Sequence, residues 1–144
     1  MPTFSVKRLD HLVLRVRDLA RSLQFYQQVL GCTVARDRPD LGLVHLRLGE
    51  SMVDLISLDG PLGVRGGAGL ALDNHNLDHF CLRIDPFDET SLLAFLAQQQ
   101  VEVLAPASIN YGAEGEGWSV YIRDPDGNVI ELKGPALPST MDPA

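Results

Sequence analysis

Two stretches of the chain repeat each other: residues 9–16 read LDHLVLRV and residues 77–84 read LDHFCLRI. Each copy has the length and apolar alternation of a β-strand. Each also carries a histidine at its third position, His11 in the first copy and His79 in the second. The two histidines are 68 residues apart (79 − 11), about half of the 144-residue chain. An internal repeat of this size predicts two copies of one structural unit.

A helix and three more strands are predicted after each copy. In the first unit, Asp18 is suited to cap a helix that stops before Gly31, and Gly49-Glu50 suits a tight turn. The predicted strands of this unit lie at roughly 32–37, 43–48 and 51–58. In the second unit, Asp88 is the predicted cap and Asp126-Gly127 the predicted hairpin turn. Its predicted strands lie near 101–104, 117–123 and 128–133, and its predicted buried helix face consists of Leu92, Leu93, Phe95 and Leu96.

The predicted fold class is therefore α+β. Two βαβββ repeats, at about 8–58 and 77–133, are expected to pair into a curved mixed sheet that encloses a metal-centred cavity within a single domain. A glycine-rich linker is predicted at 59–76 and a poorly ordered tail at 134–144. The glycine-rich segment 107–117 is predicted to be a loop and a candidate lid.

Composition narrows the function classes. The chain is 45% apolar and 22% charged, which is ordinary for a globular protein. Its net charge of −7 argues against nucleic-acid binding, and no apolar run approaches the roughly 20 residues that span a membrane. Cys32 and Cys81 stand alone in apolar surroundings and are predicted to be buried, reduced thiols. We expect a cytoplasmic protein that acts on a small molecule.

Two acids lie inside otherwise apolar strands, Asp54 in VDLI and Glu131 in VIEL. One explanation is that each acid lies on an exposed face of its strand. Alternation supports this for Glu131, because it puts Lys133 on the same side. The alternative is a buried acid, which is costly unless it is paired or bound to a metal. Together with His11 and His79, these carboxylates would suit a divalent ion, Mn, Fe, Ni, Co or Zn, with positions left open for a substrate.

Two further histidines compete for the same role. His45 alternates with Val44 and Leu46, so it is predicted to lie on the polar face of its strand. His75 lies in the predicted linker, four residues before His79, but the strand that begins near residue 78 separates the two. We interpret His45 and His75 as surface residues.

The segments LDHLVLRVRDLARSLQFYQQVLG, LDHFCLRI and VYIRDPDGNVIELK resemble the vicinal oxygen chelate superfamily, which includes glyoxalase I, extradiol dioxygenases, fosfomycin-resistance thiol transferases, methylmalonyl-CoA epimerase and bleomycin-binding proteins. The resemblance implies that His11, His79 and Glu131 are metal ligands. It also places Asp54 near the position of a fourth, glutamate ligand in glyoxalase I. Many members are homodimers, which is the expectation here.

The resemblance leaves the reaction open. A glyoxalase-like isomerase or lyase is ranked first: the metal would chelate vicinal oxygens of a small substrate, and Glu131 or Asp54 would shuttle a proton. An Fe(II) extradiol dioxygenase is ranked second. Such enzymes use a neighbouring tyrosine, and Tyr121 lies ten residues before Glu131 (131 − 121), but the same tyrosine occurs in other members. A small-molecule binding or resistance protein is the third reading. A fosfomycin-type transferase ranks lower, because no arginine follows Glu131.

Overall fold

The computed structural model describes residues 1–70 and 75–138, and the chain forms two compact units, Met1–Ala71 and Leu72–Ala144. Within the described residues, each unit has one α-helix and one four-stranded sheet of mixed strand direction. The α+β class predicted from the sequence is therefore confirmed. Residues 71–74 of the predicted linker 59–76 and residues 139–144 of the predicted tail 134–144 lie outside the described residues.

The first unit follows the predicted βαβββ order. Its elements are β1 (His11–Val16), α1 (Leu19–Gln28), β2 (Thr33–Arg38), β3 (Leu43–Leu48) and β4 (Ser51–Ser57). The sheet order is β1-β4-β3-β2, with β1 parallel to β4 and the other neighbours antiparallel. Gly49 has a φ of 60° in the predicted turn between β3 and β4. The last strand of the unit thus has a neighbour on both sides, so Asp54 lies in the interior of the sheet.

The second unit repeats this arrangement. Its elements are β5 (Phe80–Arg83), α2 (Glu89–Gln98), β6 (Ser108–Gly112), β7 (Gly115–Arg123) and β8 (Val129–Lys133). The sheet order is β5-β8-β7-β6, and β5 is parallel to β8. Glu131 therefore occupies an inner strand, as Asp54 does. Across the described residues, no helix is long and apolar enough to cross a membrane.

Both helices begin at the aspartates predicted to cap them. The side chain of Asp18 accepts a hydrogen bond from the backbone N–H of Arg21 at 3.1 Å, and Asp88 does the same for Ser91 at 3.1 Å. These bonds satisfy N–H groups that the first helical turn leaves without a partner. Replacing Asp18 with Ala is expected to lower the free energy of unfolding by about 1 kcal/mol, measured by urea denaturation, and Asp88→Ala should lower the urea midpoint in the same direction.

The Asn variants are the matched controls, because asparagine keeps an accepting oxygen at the cap. Asp18→Asn and Asp88→Asn should retain most of the stability that the Ala variants lose. An Ala variant with an unchanged urea midpoint would show that the cap contributes nothing.

The core of the first unit lies on one side of its sheet. Side chains alternate along β4, so Val53 and Leu55 point to one face and Asp54 to the other. Val53, Leu55 and Tyr26 of α1 are completely buried. This alternation leaves the face with Asp54 for polar groups.

The predicted buried face of α2 is only partly right. Leu96 is 1% exposed, Leu92 and Leu93 are intermediate, and Phe95 is 38% exposed. Successive helix residues are about 100° apart around the axis, so Phe95 lies well to the side of Leu96. The helix therefore buries a narrower strip than its apolar residues suggest.

The strand predicted near 101–104 is wrong. Among the described residues of that segment, Val103 forms an isolated bridge to Ile122 and no named strand is present. The fourth strand of this sheet is instead β6, which lies further along the chain. Val103 carries the β-branched signal of a strand, but the adjacent residues do not continue the pairing.

The loop and lid predicted at 107–117 is also wrong, because this segment forms β6 and the start of β7, which pair antiparallel. Its glycines make room for a neighbouring side chain. A Cβ at Gly112 would lie 3.1 Å from Lys133 Cε, and one at Gly117 would lie 3.0 Å from Lys133 Nζ. Lys133 Nζ donates to the carbonyl of Gly115 at 2.9 Å. Glycine here serves close packing within a sheet.

Candidate metal centre

In the first unit, the strand register places polar side chains together on one face of the sheet. Val13 of β1 pairs with Asp54 of β4, and Asp54 pairs with His45 of β3. Paired residues of neighbouring strands point to the same face. His11 lies two residues before Val13 and shares that face. The first unit therefore brings His11, His45 and Asp54 to one surface.

Asp54 is buried, and His45 is its hydrogen-bond partner. The side chains of Asp54 and His45 are 8% and 25% exposed, and His45 Nδ1 donates to Asp54 Oδ1 at 2.9 Å. His45 lies on the polar face of its strand, as predicted, but it is half-buried against Asp54 rather than an exposed surface residue. The pairing depends on the register across the Gly49 turn, which alternation within a single strand does not show. His75 is exposed, as predicted.

His11 is oriented by the residue before it. Its Nδ1 lies 2.7 Å from Asp10 Oδ1 and donates a hydrogen bond to that carboxylate. This hydrogen bond and the negative charge of Asp54 raise the pKa of His11, and the bond lowers the pKa of Asp10. An imidazole with its Nδ1 proton engaged presents Nε2 as the nitrogen for a metal.

In the second unit, Glu131 follows the predicted hairpin turn. Asp124 Oδ1 accepts hydrogen bonds from the backbone N–H groups of Asp126 at 3.0 Å and Asn128 at 2.9 Å. Gly127 has a φ of 85°, which favours glycine at this point of the turn. The turn sets the register between β7 and β8, and that register pairs Tyr121 with Glu131.

Glu131 is buried, and only one of its two carboxylate oxygens has a hydrogen-bond partner among the described residues. Its side chain is 6% exposed, and Tyr121 donates its hydroxyl proton to Glu131 Oε1 at 3.1 Å. Glu131 Oε2 is buried and has no hydrogen-bond partner among the described residues. Burial, and then the hydrogen bond to Glu131, raise the pKa of Tyr121, so the hydroxyl stays a donor. A buried carboxylate oxygen without a partner is costly unless a cation binds it.

His79 directs its second ring nitrogen at this carboxylate. Its Nδ1 lies 2.7 Å from Asp78 Oδ2 and its Nε2 lies 3.2 Å from Glu131 Oε1. The ring also packs edge-to-face on Tyr121, with the ring centroids 5.5 Å apart. Both histidines thus have Nδ1 held by the preceding aspartate, and Nε2 of His79 faces the inner-strand acid Glu131.

The pair His79 and Glu131 fits the chemistry of a divalent metal ion. Two ligand atoms that each lie about 2.1 Å from one ion are roughly 3.0–3.4 Å apart when they subtend about 90–109°. The 3.2 Å between His79 Nε2 and Glu131 Oε1 falls in this range, and it is equally the separation of a direct ion pair between the two side chains. Imidazole nitrogen with carboxylate oxygen suits Mn, Fe, Co, Ni or Zn. Within residues 1–70 and 75–138, however, no group of three or more His, Cys, Asp or Glu residues is arranged to hold a metal ion.

The two cysteines differ in their surroundings. Both are free thiols, and Cys32 is buried as predicted, but Cys81 is exposed. The register places Cys81 opposite Glu131 on the polar face of the second sheet, away from the core side. Partial burial and the charge of Glu131 raise the pKa of Cys81 to about 11. The expectation of a buried thiol at Cys81 is therefore wrong, because alternation put it on the polar face.

Two residues that contact the candidate histidines, Asp10 and Asp78, were missed in the sequence, and His45 was considered there but interpreted as a surface residue. The signal for Asp10 and Asp78 was present, because an aspartate precedes the histidine in both copies of the repeat. A carboxylate that orients a metal-binding imidazole is a common outer partner of such sites. No comparable sequence signal identified His45.

A βαβββ unit used twice, with a histidine at its first strand and an acid in its last, defines a vicinal oxygen chelate protein. The sequence model of the Glyoxalase/Bleomycin resistance protein/Dioxygenase superfamily matches residues 8–132. The chain belongs to this superfamily, which confirms the resemblance inferred from the motifs.

Individual relatives cover most of the chain. Virulence protein STM3117 of Salmonella typhimurium is 30% identical over 132 residues, which cover 88% of this chain and 83% of that protein. Its crystal structure matches with a TM-score of 0.73 over 92% of this chain and all of that chain (100%), at 25% identity. Mitochondrial methylmalonyl-CoA epimerase of Bos taurus is 26% identical over 141 residues, 92% of this chain and 77% of that protein. Metallothiol transferase FosB of Staphylococcus epidermidis is 26% identical over 140 residues, 95% of this chain and 88% of that protein.

Proposed function

We propose that the protein is a metal-dependent enzyme of the glyoxalase-like group that chelates adjacent oxygens of a small substrate and moves a proton within it. The observation that carries this proposal is Glu131 Oε2, a buried carboxylate oxygen without a partner among the described residues. It belongs to the same carboxylate that His79 Nε2 approaches to 3.2 Å. A divalent cation would satisfy this oxygen.

The proposed ligands of a single ion are His11, His79 and Glu131, with Asp54 as the candidate fourth ligand. Each histidine has its Nδ1 held by the preceding aspartate, which leaves Nε2 as the donor. Asp54, like Glu131, is a buried acid of an inner strand. The expected metals remain Mn, Fe, Ni, Co and Zn, because the donor set does not distinguish them.

The residues have separate roles in this proposal. The bound ion would act as a Lewis acid toward the two substrate oxygens. Glu131 or Asp54 takes a proton from the substrate and returns it, as a general base and then a general acid. Tyr121 holds Glu131 Oε1 by its hydrogen bond, which orients the carboxylate. Epimerisation, named for the Bos taurus relative, inverts a stereocentre and is commonly achieved by such a proton transfer.

The second candidate is an extradiol-type Fe(II) dioxygenase. The contact between Tyr121 and Glu131 supports this candidate as well as the first, since the resemblance pairs a tyrosine with the metal triad in the dioxygenases and in other members. A binding or resistance protein without turnover is the third candidate. For each, we propose a homodimer in the cytoplasm, on the strength of the resemblance and the composition.

The proposal predicts that one divalent ion binds per chain. Titration of the chelator-treated protein with Mn²⁺ in a calorimeter should give a stoichiometry of one, since the proposal assigns a single ion to the four ligands. Metal analysis of the purified protein provides an independent measure. A protein that binds no Mn²⁺, Zn²⁺, Co²⁺, Ni²⁺ or Fe²⁺ would exclude the metal-dependent function and leave the binding protein as the better reading.

A further inference from the structure

The inner-strand acids of the two units occupy equivalent positions. Adding the repeat distance of 68 to Val13 gives Cys81, and these two residues are the β1 and β5 partners of Asp54 and Glu131. The strand on the other side of each acid then supplies one further residue. In the first unit it is His45, and in the second it is Tyr121.

Both of these partners hold one oxygen of their acid. His45 Nδ1 donates to Asp54 Oδ1 at 2.9 Å, and the Tyr121 hydroxyl donates to Glu131 Oε1 at 3.1 Å. The two acids are similarly buried, with side chains 8% and 6% exposed. A donor on one oxygen orients the carboxylate and leaves the other oxygen for a cation. Chemically different residues therefore hold one oxygen of the acid at equivalent places in the two repeats.

The competing explanation is a purely structural pair. A buried aspartate needs a partner, and His45 is the neighbour that satisfies it. On that explanation, loss of His45 would reduce stability and leave metal affinity unchanged. The repeat equivalence with Tyr121 and Glu131 favours a role at the metal instead, because His11 lies on the same face of the sheet as Asp54 and His45.

We propose that His45 is a positioning residue, which holds Asp54 Oδ1 so that Oδ2 is presented to the divalent ion. This inference rests on the proposed metal-dependent function. His45 would orient Asp54 in the first repeat as Tyr121 orients Glu131 in the second. Asp54 would then be a metal ligand whose orientation depends on His45.

The test is Mn²⁺ affinity of the full chain by calorimetry, with no substrate required. His45→Ala should weaken Mn²⁺ binding by about 10- to 100-fold, the range typical for outer partners of metal ligands. His45→Gln retains an N–H donor and should restore most of that loss. Asp54→Asn should weaken binding at least as much as His45→Ala. The double variant should be no weaker than Asp54→Asn alone, because His45 acts through Asp54.

A spectroscopic measurement adds a readout that stability does not affect. The number of water molecules on bound Mn²⁺, from water-proton relaxation, should rise in His45→Ala and Asp54→Asn, because water replaces the lost carboxylate oxygen. Asp37→Asn, in an exposed acid of β2, is the matched control and should change neither affinity nor water number.

The outcomes separate this inference from the proposed function. If the unmodified protein binds no Mn²⁺, both fail. If it binds Mn²⁺ and folded His45→Ala binds it equally well, only the inference fails, and the pair is structural. If His45→Ala does not fold, His45→Gln and Asp54→Asn decide: unchanged affinity and water number in folded Asp54→Asn overturn the inference.

Discussion

Replacing His79 with Ala is expected to reduce the affinity for Mn²⁺ by at least about tenfold, since even the loss of an outer partner of a ligand costs 10- to 100-fold. The reason is geometric. His79 Nδ1 is engaged by Asp78, and Nε2 lies 3.2 Å from Glu131 Oε1, so alanine removes the nitrogen that is proposed as the ligand. Glu131→Gln should have a comparable effect, because the amide carries no charge to bind the cation. Calorimetric titration with Mn²⁺ measures both.

His75→Ala is the matched control for this prediction. His75 is an exposed histidine four residues before His79, and it has no place in the proposed ligand set. Its replacement should leave the Mn²⁺ affinity unchanged. His11→Ala should weaken binding as His79→Ala does. Unchanged Mn²⁺ binding by folded His79→Ala protein would refute the proposed metal centre.

Activity is expected to survive the complete removal of O₂ and the replacement of the metal by redox-inert Zn²⁺. Proton transfer next to a carbonyl needs a Lewis acid and a base, and neither requires a change of oxidation state. A fourth carboxylate from Asp54 would also fill a position that O₂ would otherwise need. The measurement is the incorporation of deuterium from D₂O into a panel of α-hydroxycarbonyl compounds under strict anaerobiosis.

The dioxygenase makes the opposite prediction. It requires O₂ uptake with catechol that Fe(II) alone restores, and this result would reverse the ranking of the two enzymes. In the exchange assay, Asp54→Asn should lower the rate by about 10²- to 10⁴-fold if Asp54 is the general base. Exchange at the normal rate in Asp54→Asn would leave Glu131 as the proton carrier.

Much of the fold was predictable because its signals are local. The strands β1 and β4, the helix caps Asp18 and Asp88, and the turn at Gly127 each depend on residues within a few positions of one another. The predictions that were wrong concern segments whose structure depends on residues far away in the sequence. The glycines of 107–117 indicate a loop until Lys133 is placed against them, and even the nearest, Gly117, is 16 residues from it in sequence (133 − 117).

The features of the candidate site likewise comprise those that the sequence identified and those that only the structure revealed. His11, His79 and the acids Asp54 and Glu131 were identified from the repeat and from the apolar strands around the acids. The contact of His45 with Asp54 was not, because it joins two strands and depends on their register. The exposure of Cys81 was missed for a related reason: its apolar neighbours indicate burial, but alternation turns its side chain to the polar face.

The sequence by itself determined the twofold use of a βαβββ unit, the superfamily, and the histidines and acids at equivalent places in the repeats. These follow from periodicity, spacing and local capping, which act over short stretches of chain. Only the tertiary structure decided which carboxylate oxygens have a hydrogen-bond partner. Tyr121 donates to Glu131 Oε1 and His45 donates to Asp54 Oδ1, whereas Glu131 Oε2 has no partner among the described residues. The reason is physical, because the cost of a buried charge depends on its neighbours across the sheet, and register sets those neighbours.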